Sequence, residues 1–546
     1  MSTSRNRASP ADAPTSGETR LLLVSFSESE TAFLSRAAKL LASTGKWQCS
    51  FLLLHAQAKN STTTIELDTA GICHLAICES RFYDEYAHSG SAAVDSSFSD
   101  RVHQRCRRLK TSRLPHQRMF GRLLEVALFV PWLFRYGIRY GIGRIVASLK
   151  QWLRGSHPGV YSWLRRRALA FQSYWDEIPL VSEYHLKIRK VREERRLRKY
   201  RDAAGSFFAT QAPDLLMLAK DSAYYPTTVF VQAARNMGIP SVVIPYDRAD
   251  AETLAKDRLG HPDHVIRSHA AREIATQFPA WVYTHDGQPL LLAAPATVYA
   301  IEELDLAPPN PWGYNNSRCD RILLETEEDR QQYLMNGAPP DQLAVIGAPF
   351  MDKIDTLSTQ REQRREWLCK TYGFDESKPF VVASVTPNKL IQRDADLEFR
   401  TYHDLIDQWS TALTHHLDFN IIYSLHPLTQ RADVAFIEKK GGKILELPLE
   451  ELLVIADLFI VDSSSTARWA QYAGVDVIDY DYYKYELPFN SKIDGVCHVT
   501  AYEDFIIELI RANEKRHAAR PKPAHHPLRT ETSFVERLSL ELVKLL

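Results

Sequence analysis

Short apolar runs alternate with helix-like segments along most of this 546-residue chain. The first unit consists of the run 21–26 (LLLVSF), a helix that begins after Ser27, and the run 49–56 (CSFLLLHA). A short uninterrupted apolar run is typical of a strand buried on both faces, and strand, helix and strand within a few tens of residues form a βαβ unit. The chain must therefore fold around parallel sheets that helices cover.

The alternation occurs in two blocks, so we expect two doubly wound α/β domains. In the second block, the apolar run 379–385 opens the series, and a helix over 394–417 leads to the run 419–427. The predicted organisation is a disordered tail (1–19), an N-terminal α/β domain (20–355) interrupted by a basic helical insertion (101–205), a linker (356–378), a second α/β domain (379–530) and a terminal amphipathic helix (531–546).

The balanced charge of the chain, 67 Lys+Arg against 67 Asp+Glu, hides a basic segment. Residues 101–175 hold 16 basic residues and one acid, Glu125, with interleaved aromatic residues. Such a stretch suits the interface of an anionic bilayer, and packing on the same chain or on a second copy is the alternative. Nucleic acid is disfavoured, because the apolar run 123–134 does not suit a phosphate groove. That run is also too short to span a membrane.

The seven cysteines form no C-x-x-C pair, which disfavours a disulfide framework or a zinc site and predicts reduced thiols. The N-terminus lacks the apolar region of a signal peptide. Two Asp-x-Asp pairs, 394–396 and 479–481, are common enough by chance that no metal is predicted. Glycine-rich G-x-G-x-x-G loops are absent, which disfavours a dinucleotide-dependent oxidoreductase.

Ligands bind at the carboxyl ends of strands in open α/β sheets, so the residues there are the candidate site. In the second half these positions hold Thr386, the pair His426-Pro427, and the run Asp462-Ser463-Ser464-Ser465 before a helix. Hydroxyls and free N–H groups at a helix start can bind an anion, and the histidine can donate to a phosphate. Alternatively, Ser463 or Ser464 only caps the helix, and His-Pro only forms a turn.

The region 447–486 resembles the C-terminal half of CDP-glycerol glycerophosphotransferases and, more broadly, bacterial capsule and wall-polysaccharide transferases of the GT-B fold. It keeps Asp462, Ser464, Ser465, Asp481 and Tyr485 of the family pattern, but has Val461 for Thr and Ser463 for Tyr. The His-Pro pair is shared with sialyl- and Kdo-transferases, whose donors are also cytidine-activated. The resemblance implies that His426, Ser464 and Ser465 hold the nucleotide and phosphates of the donor. The pair Thr386-Pro387 loosely matches a loop of the family that contains Pro-Thr, with the order of the two residues reversed.

A GT-B enzyme places the acceptor and the general base on its first domain, and the base must take a proton from the acceptor hydroxyl. The glycerophosphotransferases have His-Gly after the strand that corresponds to 239–246, where this chain has Tyr246-Asp247-Arg248. Asp247 is therefore the first candidate base, followed by Asp221 and Glu28. Each of the three can instead be a helix cap or a salt-bridge partner.

These observations predict a GT-B-like α/β fold whose two doubly wound domains face a cleft. The expected function is transfer of a sugar or polyol-phosphate group from a nucleotide donor, with cytidine favoured, to a surface polysaccharide or lipid-linked acceptor. No other cofactor is expected. The expected location is the cytoplasmic side of a bacterial inner membrane, bound peripherally, and a second copy of the chain is a candidate partner. The alternatives are an isomerase of the UDP-N-acetylglucosamine 2-epimerase type, in which Asp-Ser-Gly-Gly is expected at the phosphate loop, and a non-catalytic subunit.

Overall fold

The computed structural model describes residues 18–55, 62–77, 179–223, 226–246, 249–259, 263–313, 318–390, 397–426, 428–485, 495–515 and 532–546, together with His261 and Asn315. Residues 78–178, which include the basic stretch 101–175, and all but the end of the predicted N-terminal tail lie outside these ranges. So do two candidate site residues, Asp247 and Pro427.

The first domain is built on a parallel sheet, which a small antiparallel hairpin accompanies. Its strands are β1 (Thr19–Ser25), β2 (Trp47–Leu53), β3 (Cys73–Ala76), β4 (Leu215–Leu218), β5 (Ser241–Val243), the hairpin β6 (Val282–His285) and β7 (Gln288–Leu291), β8 (Arg321–Leu324) and β9 (Leu343–Val345). The sheet order is β3-β2-β1-β4-β5-β8-β9. The order reverses between β1 and β4, which is the topological switch point of a doubly wound sheet.

Helices cover both faces of this sheet. They are α1 (Glu28–Ser43), α2 (Thr62–Thr69), α3 (Pro179–Gln211), α4 (Thr227–Asn236), α5 (Ala251–Lys256), α6 (His269–Gln277), α7 (Pro295–Glu303) and α8 (Glu327–Met335). Helix α1 begins where the sequence predicts, because the side chain of Ser27 accepts a hydrogen bond from the N–H of Glu30.

Helix α3 begins within the predicted insertion, extends six residues beyond it, and contributes to the core of the first domain. Leu186, Leu197 and Tyr200 on its inner side are buried in the main core of that domain. Its outer side carries exposed charged pairs such as Arg198 with Glu194, 2.8 Å apart. Helix α3 therefore packs on the sheet, as expected of a helix that precedes β4 in a chain of parallel strands joined by crossovers.

The second domain repeats the arrangement. Its strands are β10 (Phe380–Val385), β11 (Asn420–Leu425), β12 (Lys443–Ile444), β13 (Leu458–Val461), β14 (Asp476–Tyr480) and β15 (Val496–Val499). All pair in parallel in the order β12-β11-β10-β13-β14-β15, so the order reverses between β10 and β13. The two doubly wound sheets confirm the predicted GT-B-like α/β fold class.

Helices of the second half are α9 (Pro349–Ser358), α10 (Arg361–Tyr372), α11 (Tyr402–His416), α12 (Arg431–Val434), α13 (Leu449–Ile455), α14 (Ala467–Tyr472), α15 (Tyr502–Glu514) and α16 (Phe534–Val543). Helix α10 lies in the segment expected to be a linker, but its Leu368 and Cys369 are buried against the second sheet. Helix α11 begins at Tyr402 rather than at 394, because Thr401 caps it by accepting from the N–H of Asp404.

The terminal helix α16 packs on the first domain. Phe534, Leu538 and Leu542 are fully buried in the core that contains Leu21 and Leu23 of β1. The indole N–H of Trp47 donates to the hydroxyl of Ser539 at 3.1 Å. The chain therefore crosses between the two domains a second time before it ends.

The carboxyl edges of the two sheets face each other. Arg36 of α1 forms an ion pair with the buried Glu450 of α13 at 2.8 Å. Arg468 of α14 pairs with Asp329 of α8 at 3.2 Å. Both pairs join the two domains, and Asp329 and Arg468 each lie in the first turn of a helix that follows a strand end, so the space beside them is a cleft bordered by both edges. Within the described ranges, no helix has the length and apolar character needed to cross a bilayer.

Candidate functional site

The switch point of the second sheet brings two predicted residues into contact. Thr386 follows β10 and Asp462 follows β13, and these two strands are neighbours. The hydroxyl of Thr386 donates to Oδ2 of Asp462 at 3.2 Å, and both residues are buried. The carbonyl of Thr386 accepts in turn from the hydroxyl of Tyr402, 2.5 Å away. The place where a doubly wound fold binds its ligand therefore has a polar, fixed floor.

The turn after Asp462 is strained. Ser463 has a φ of 42°, a left-handed conformation that costs a non-glycine residue on the order of 1 kcal/mol. Its N–H donates to Oδ1 of Asp479 at 2.6 Å, which holds the turn in place. Its hydroxyl oxygen is buried and has no hydrogen-bond partner among the described residues. Strain and an unpaired hydroxyl together are typical of a functional turn rather than of a simple helix start.

The serines do not cap the helix that follows. The N-cap of α14 is Thr466, whose side chain makes no capping hydrogen bond. Ser464 uses its hydroxyl oxygen locally, accepting from the N–H of Thr466 at 3.3 Å. The N–H groups of Ser464 and Ser465 have no acceptor in the described part of the chain. Because α14 has only six residues, its dipole adds little, and these two N–H groups are the donors that the turn itself leaves without an acceptor.

His426 follows β11 and is exposed at the same edge. Its Nδ1 accepts from the N–H of Leu428 at 3.1 Å, so in the neutral ring the proton is on Nε2. Partial burial first, and the positive charge of Lys389 second, lower the pKa of His426 below its usual value. The ring is therefore neutral near pH 7 and has one N–H donor, at Nε2.

Three buried aspartates lie beside this turn. Asp479 at the end of β14 accepts from Ser463 and lies 3.0 Å from Nδ1 of His498. Asp481 accepts from the N–H of Tyr485 at 2.8 Å. Side chains two positions apart on a strand share a face, so the Asp-x-Asp pair that the sequence analysis attributes to chance belongs to the site edge. Within the described residues, no His, Cys, Asp and Glu side chains form a group that could hold a metal ion.

Lys389 is a residue that sequence reasoning does not single out. It lies in the loop after β10, near enough to lower the pKa of both His426 and Asp462. Its Nζ lies 5.1 Å from the ring centroid of Tyr485, and its N–H donates to the hydroxyl of Tyr483 at 3.2 Å. Its position three residues after Thr386 at a strand end is the signal that could have identified it.

In the first domain, the candidate base Asp221 has a structural environment. It is 1% exposed, and Thr227 donates a hydroxyl hydrogen bond to its Oδ1 at 3.4 Å. Its N–H donates to the side-chain oxygen of the buried Asn315 at 2.7 Å. A carboxylate so enclosed is poorly placed to reach an acceptor hydroxyl from the cleft.

Glu28, by contrast, lies beside a histidine that sequence reasoning misses. His55 follows β2, and its Nε2 lies 3.9 Å from Oε2 of Glu28 and 3.2 Å from the hydroxyl of Thr31. Burial lowers the pKa of His55 and the negative charge of Glu28 partly offsets this, so the ring is neutral at pH 7. The arrangement provides a base with a neighbouring carboxylate.

A groove of the first domain opens between the end of β5 and α8. Its lining combines the apolar residues Pro245, Ala249 and Leu324 with the polar residues Glu325, Asp329, Gln332, Tyr333 and Asn336. Asp329 connects this groove to the second domain through Arg468, four residues after Ser464. The groove therefore borders the cleft close to the serine turn.

No protein-family model matches the sequence, and no curated protein sequence matches it. Solved structures with a similar course of the chain include a glycosyltransferase from Rickettsia africae, at 10% identity over 97% of this chain and 98% of that chain, with a TM-score of 0.40. UGT2 of Phytolacca americana is 12% identical over 96% of this chain and 99% of that chain, with a TM-score of 0.45. The UDP-GlcNAc 2-epimerase of Neisseria meningitidis is 9% identical over 96% of this chain and 100% of that chain, with a TM-score of 0.43. Similarity this remote says nothing about the substrate of this chain.

Proposed function

We propose that the protein is a GT-B transferase that moves a sugar or polyol-phosphate group from a nucleotide donor to an acceptor hydroxyl. The observation that carries this proposal is that two edges of different chemistry face one cleft. The second-domain edge offers hydrogen-bond donors in the serine turn and at His426, and the first-domain edge offers the His55–Glu28 pair. Donor binding on one side and acceptor activation on the other is what a displacement reaction needs.

The donor would bind at the second edge through its diphosphate. The N–H groups of Ser464 and Ser465 and the Nε2–H of His426 can each donate a hydrogen bond to a phosphate oxygen. Lys389 supplies a positive charge at this edge to offset the charge that develops on the leaving group. The cytidine preference rests on the order of sequence motifs alone.

The acceptor would enter by the groove beside α8, whose carboxylates, amides and Tyr333 suit a polyhydroxylated molecule. His55 would remove the proton from the attacking hydroxyl, and Glu28 would stabilise the imidazolium that forms. Direct displacement inverts the reacting carbon of a transferred sugar. Asp247, which lies outside the described residues, remains the alternative base.

The test is nucleotide release by the full chain from a panel of CMP-, CDP-, UDP- and GDP-linked donors, with and without a polyhydroxylated acceptor. Acceptor-dependent release of nucleotide supports transfer. Formation of an epimerised UDP-GlcNAc, without net transfer, would identify an isomerase instead. Nucleotide binding without either reaction, across the whole panel, would indicate a non-catalytic protein.

We also propose that the acceptor is presented at an anionic membrane, because residues 101–175 combine 16 basic residues with aromatic ones. Replacing Arg135, Arg139 and Arg144 with Glu should release the chain from phosphatidylglycerol vesicles in a flotation assay. Nucleotide affinity should remain, because the donor edge lies on the second domain. Parent protein that does not float would contradict membrane docking and leave packing on the chain or on a second copy.

A further inference from the structure

Asp462 is a buried carboxyl group with one unused oxygen. It is 4% exposed, and its Oδ2 accepts from Thr386 at 3.2 Å. Its Oδ1 is buried and has no hydrogen-bond partner anywhere in the described ranges. An ionised carboxylate in this position would lose solvation without compensation, so either a proton or a ligand must be present at Oδ1.

The charges around Asp462 favour the proton. Burial is the main cause that raises the pKa of Asp462 well above its usual value, and the carboxylates of Asp481 and then Asp479 add to it. The positive charge of Lys389 and the hydroxyl of Thr386 oppose this shift. The phenols that also face Asp462 are those of Tyr480, Tyr482 and Tyr483, whose own pKa values are raised by burial, so they stay neutral.

The proposed anion site and this acid group occupy the same turn. Asp462 lies two residues before Ser464 and three before Ser465, whose free N–H groups would bind the diphosphate. An ionised Asp462 would repel a phosphate, whereas a neutral carboxylic acid can donate a hydrogen bond to it. The other two acids already hold partners: Asp479 accepts from Ser463, and Asp481 accepts from Tyr485. Oδ1 of Asp462 is the oxygen left to meet a ligand.

We infer that Asp462 binds the diphosphate of the donor as a neutral carboxylic acid, with Oδ1–H donating a hydrogen bond to a phosphate oxygen. The inference rests on the proposed function, since it needs a nucleoside diphosphate in the second-domain edge. No proton is transferred in this contact. Its consequence is that donor affinity depends on pH through Asp462 and falls once the group ionises.

The experiment is calorimetric titration of the full chain with CDP and, separately, UDP over the whole range of pH in which the chain stays folded. Above the pKa of Asp462, the affinity of the parent should fall about tenfold per pH unit. The Asp462→Asn variant keeps an N–H donor and cannot ionise, so its affinity should be close to that of the parent at the acid end of this range and should lack this fall. Ionisation of the nucleotide is common to both proteins and cancels in their ratio. The control is Asp476→Asn. Asp476 is the first residue of β14, at the end of the strand away from the site edge, so this variant should bind nucleotide as the parent does.

A second variant keeps the test decisive if Asp462→Asn does not fold. Asp481→Asn removes a negative charge that raises the pKa of Asp462, so the fall in affinity should begin at a lower pH than in the parent. A ratio to Asp462→Asn that stays constant over the pH range for the parent and for Asp481→Asn alike, or a loss of affinity in Asp462→Asn at the acid end, would overturn the inference while nucleotide binding stands. Parent protein that binds neither CDP nor UDP at any pH would overturn the proposed function as well.

Discussion

The two domains share one topology, but their carboxyl edges differ in chemistry. Both sheets reverse their strand order beside the first strand of the domain. At the second edge, three buried aspartates, Lys389 and His426 surround a strained serine turn. At the first edge, Asp221 is enclosed by Thr227 and Asn315, and the open chemistry is the pair of His55 and Glu28.

Strand topology therefore determines where a ligand binds in each domain, whereas the loops after the strands determine which chemical groups meet that ligand. The second edge is rich in fixed hydrogen-bond donors and suits a charged ligand that must be held. The first edge has few fixed groups and one neutral base, which suits a neutral hydroxyl that must lose a proton. Each prediction below separates the two edges by changing only one of them.

The largest effect is expected from His55→Ala. Loss of a general base should lower the turnover rate by about 10²- to 10⁴-fold while nucleotide affinity stays unchanged. In the parent, the rate should fall as pH drops through the pKa of His55, which lies below the usual 6.5, because the protonated ring cannot accept a proton. His74→Ala is the matched control, since His74 lies within β3, 3.6 Å from Asp68. An equal loss in both variants would contradict a special role for His55.

At the second edge, His426→Ala should weaken nucleotide binding rather than turnover at saturation. A hydrogen bond to a charged phosphate contributes about 1.5–3 kcal/mol, which corresponds to roughly tenfold to 150-fold in affinity. His415→Ala changes the same residue type at the end of α11, away from the edge, and should bind nucleotide as the parent does. Unchanged affinity in His426→Ala, measured by calorimetry, would move the donor site elsewhere.

The contact between the edges should contribute to stability. Arg36→Ala leaves Glu450, which is 2% exposed, without its cation, and should lower the free energy of unfolding by about 1–3 kcal/mol. The partial exposure of Arg36 places the effect at the lower end for a broken buried pair. Lys39→Ala, on the same helix, removes a more exposed pair with Glu66 and should cost less than about 1 kcal/mol. Equal melting temperatures for the two variants would mean that the domains do not rely on this contact.

The smallest effect concerns the base of the nucleotide. CMP or CDP should raise the melting temperature of the chain more than UMP or UDP at equal concentration, because a ligand stabilises in proportion to the logarithm of its affinity. Phosphate contacts are common to all four ligands, so the difference reports the base alone. A larger shift with uridine nucleotides would exclude the cytidine preference and leave the edge assignments intact.

The fold could be predicted from the sequence because its signals are local. Buried parallel strands read as apolar runs, as in 21–26 for β1, and Ser27 marks the start of α1. The hairpin β6–β7 carries a signal too, Asp286-Gly287, whose φ angles of 47° and 75° are those of a tight hairpin turn. Pairing of α16 with the first domain has no local signal, since it depends on contacts between residues about 490 positions apart.

The candidate site was predictable only in part. Strand ends identify Thr386 and Asp462, because topology alone brings them together. His55 and Lys389 gain their roles from neighbours on other strands and loops, which a single sequence does not display. The burial of Asp479 likewise depends on packing, so its spacing from Asp481 alone could not distinguish a site from chance.

The central claim is that the second edge holds the donor and the first edge activates the acceptor. Its most direct test measures nucleotide affinity and saturated turnover side by side in the parent, His55→Ala and His426→Ala. The account predicts that His55→Ala loses turnover and keeps affinity, whereas His426→Ala loses affinity and keeps most of its turnover at saturation. If both variants lose both properties to the same degree, or if each shows the loss expected of the other, the division of labour between the two edges is wrong.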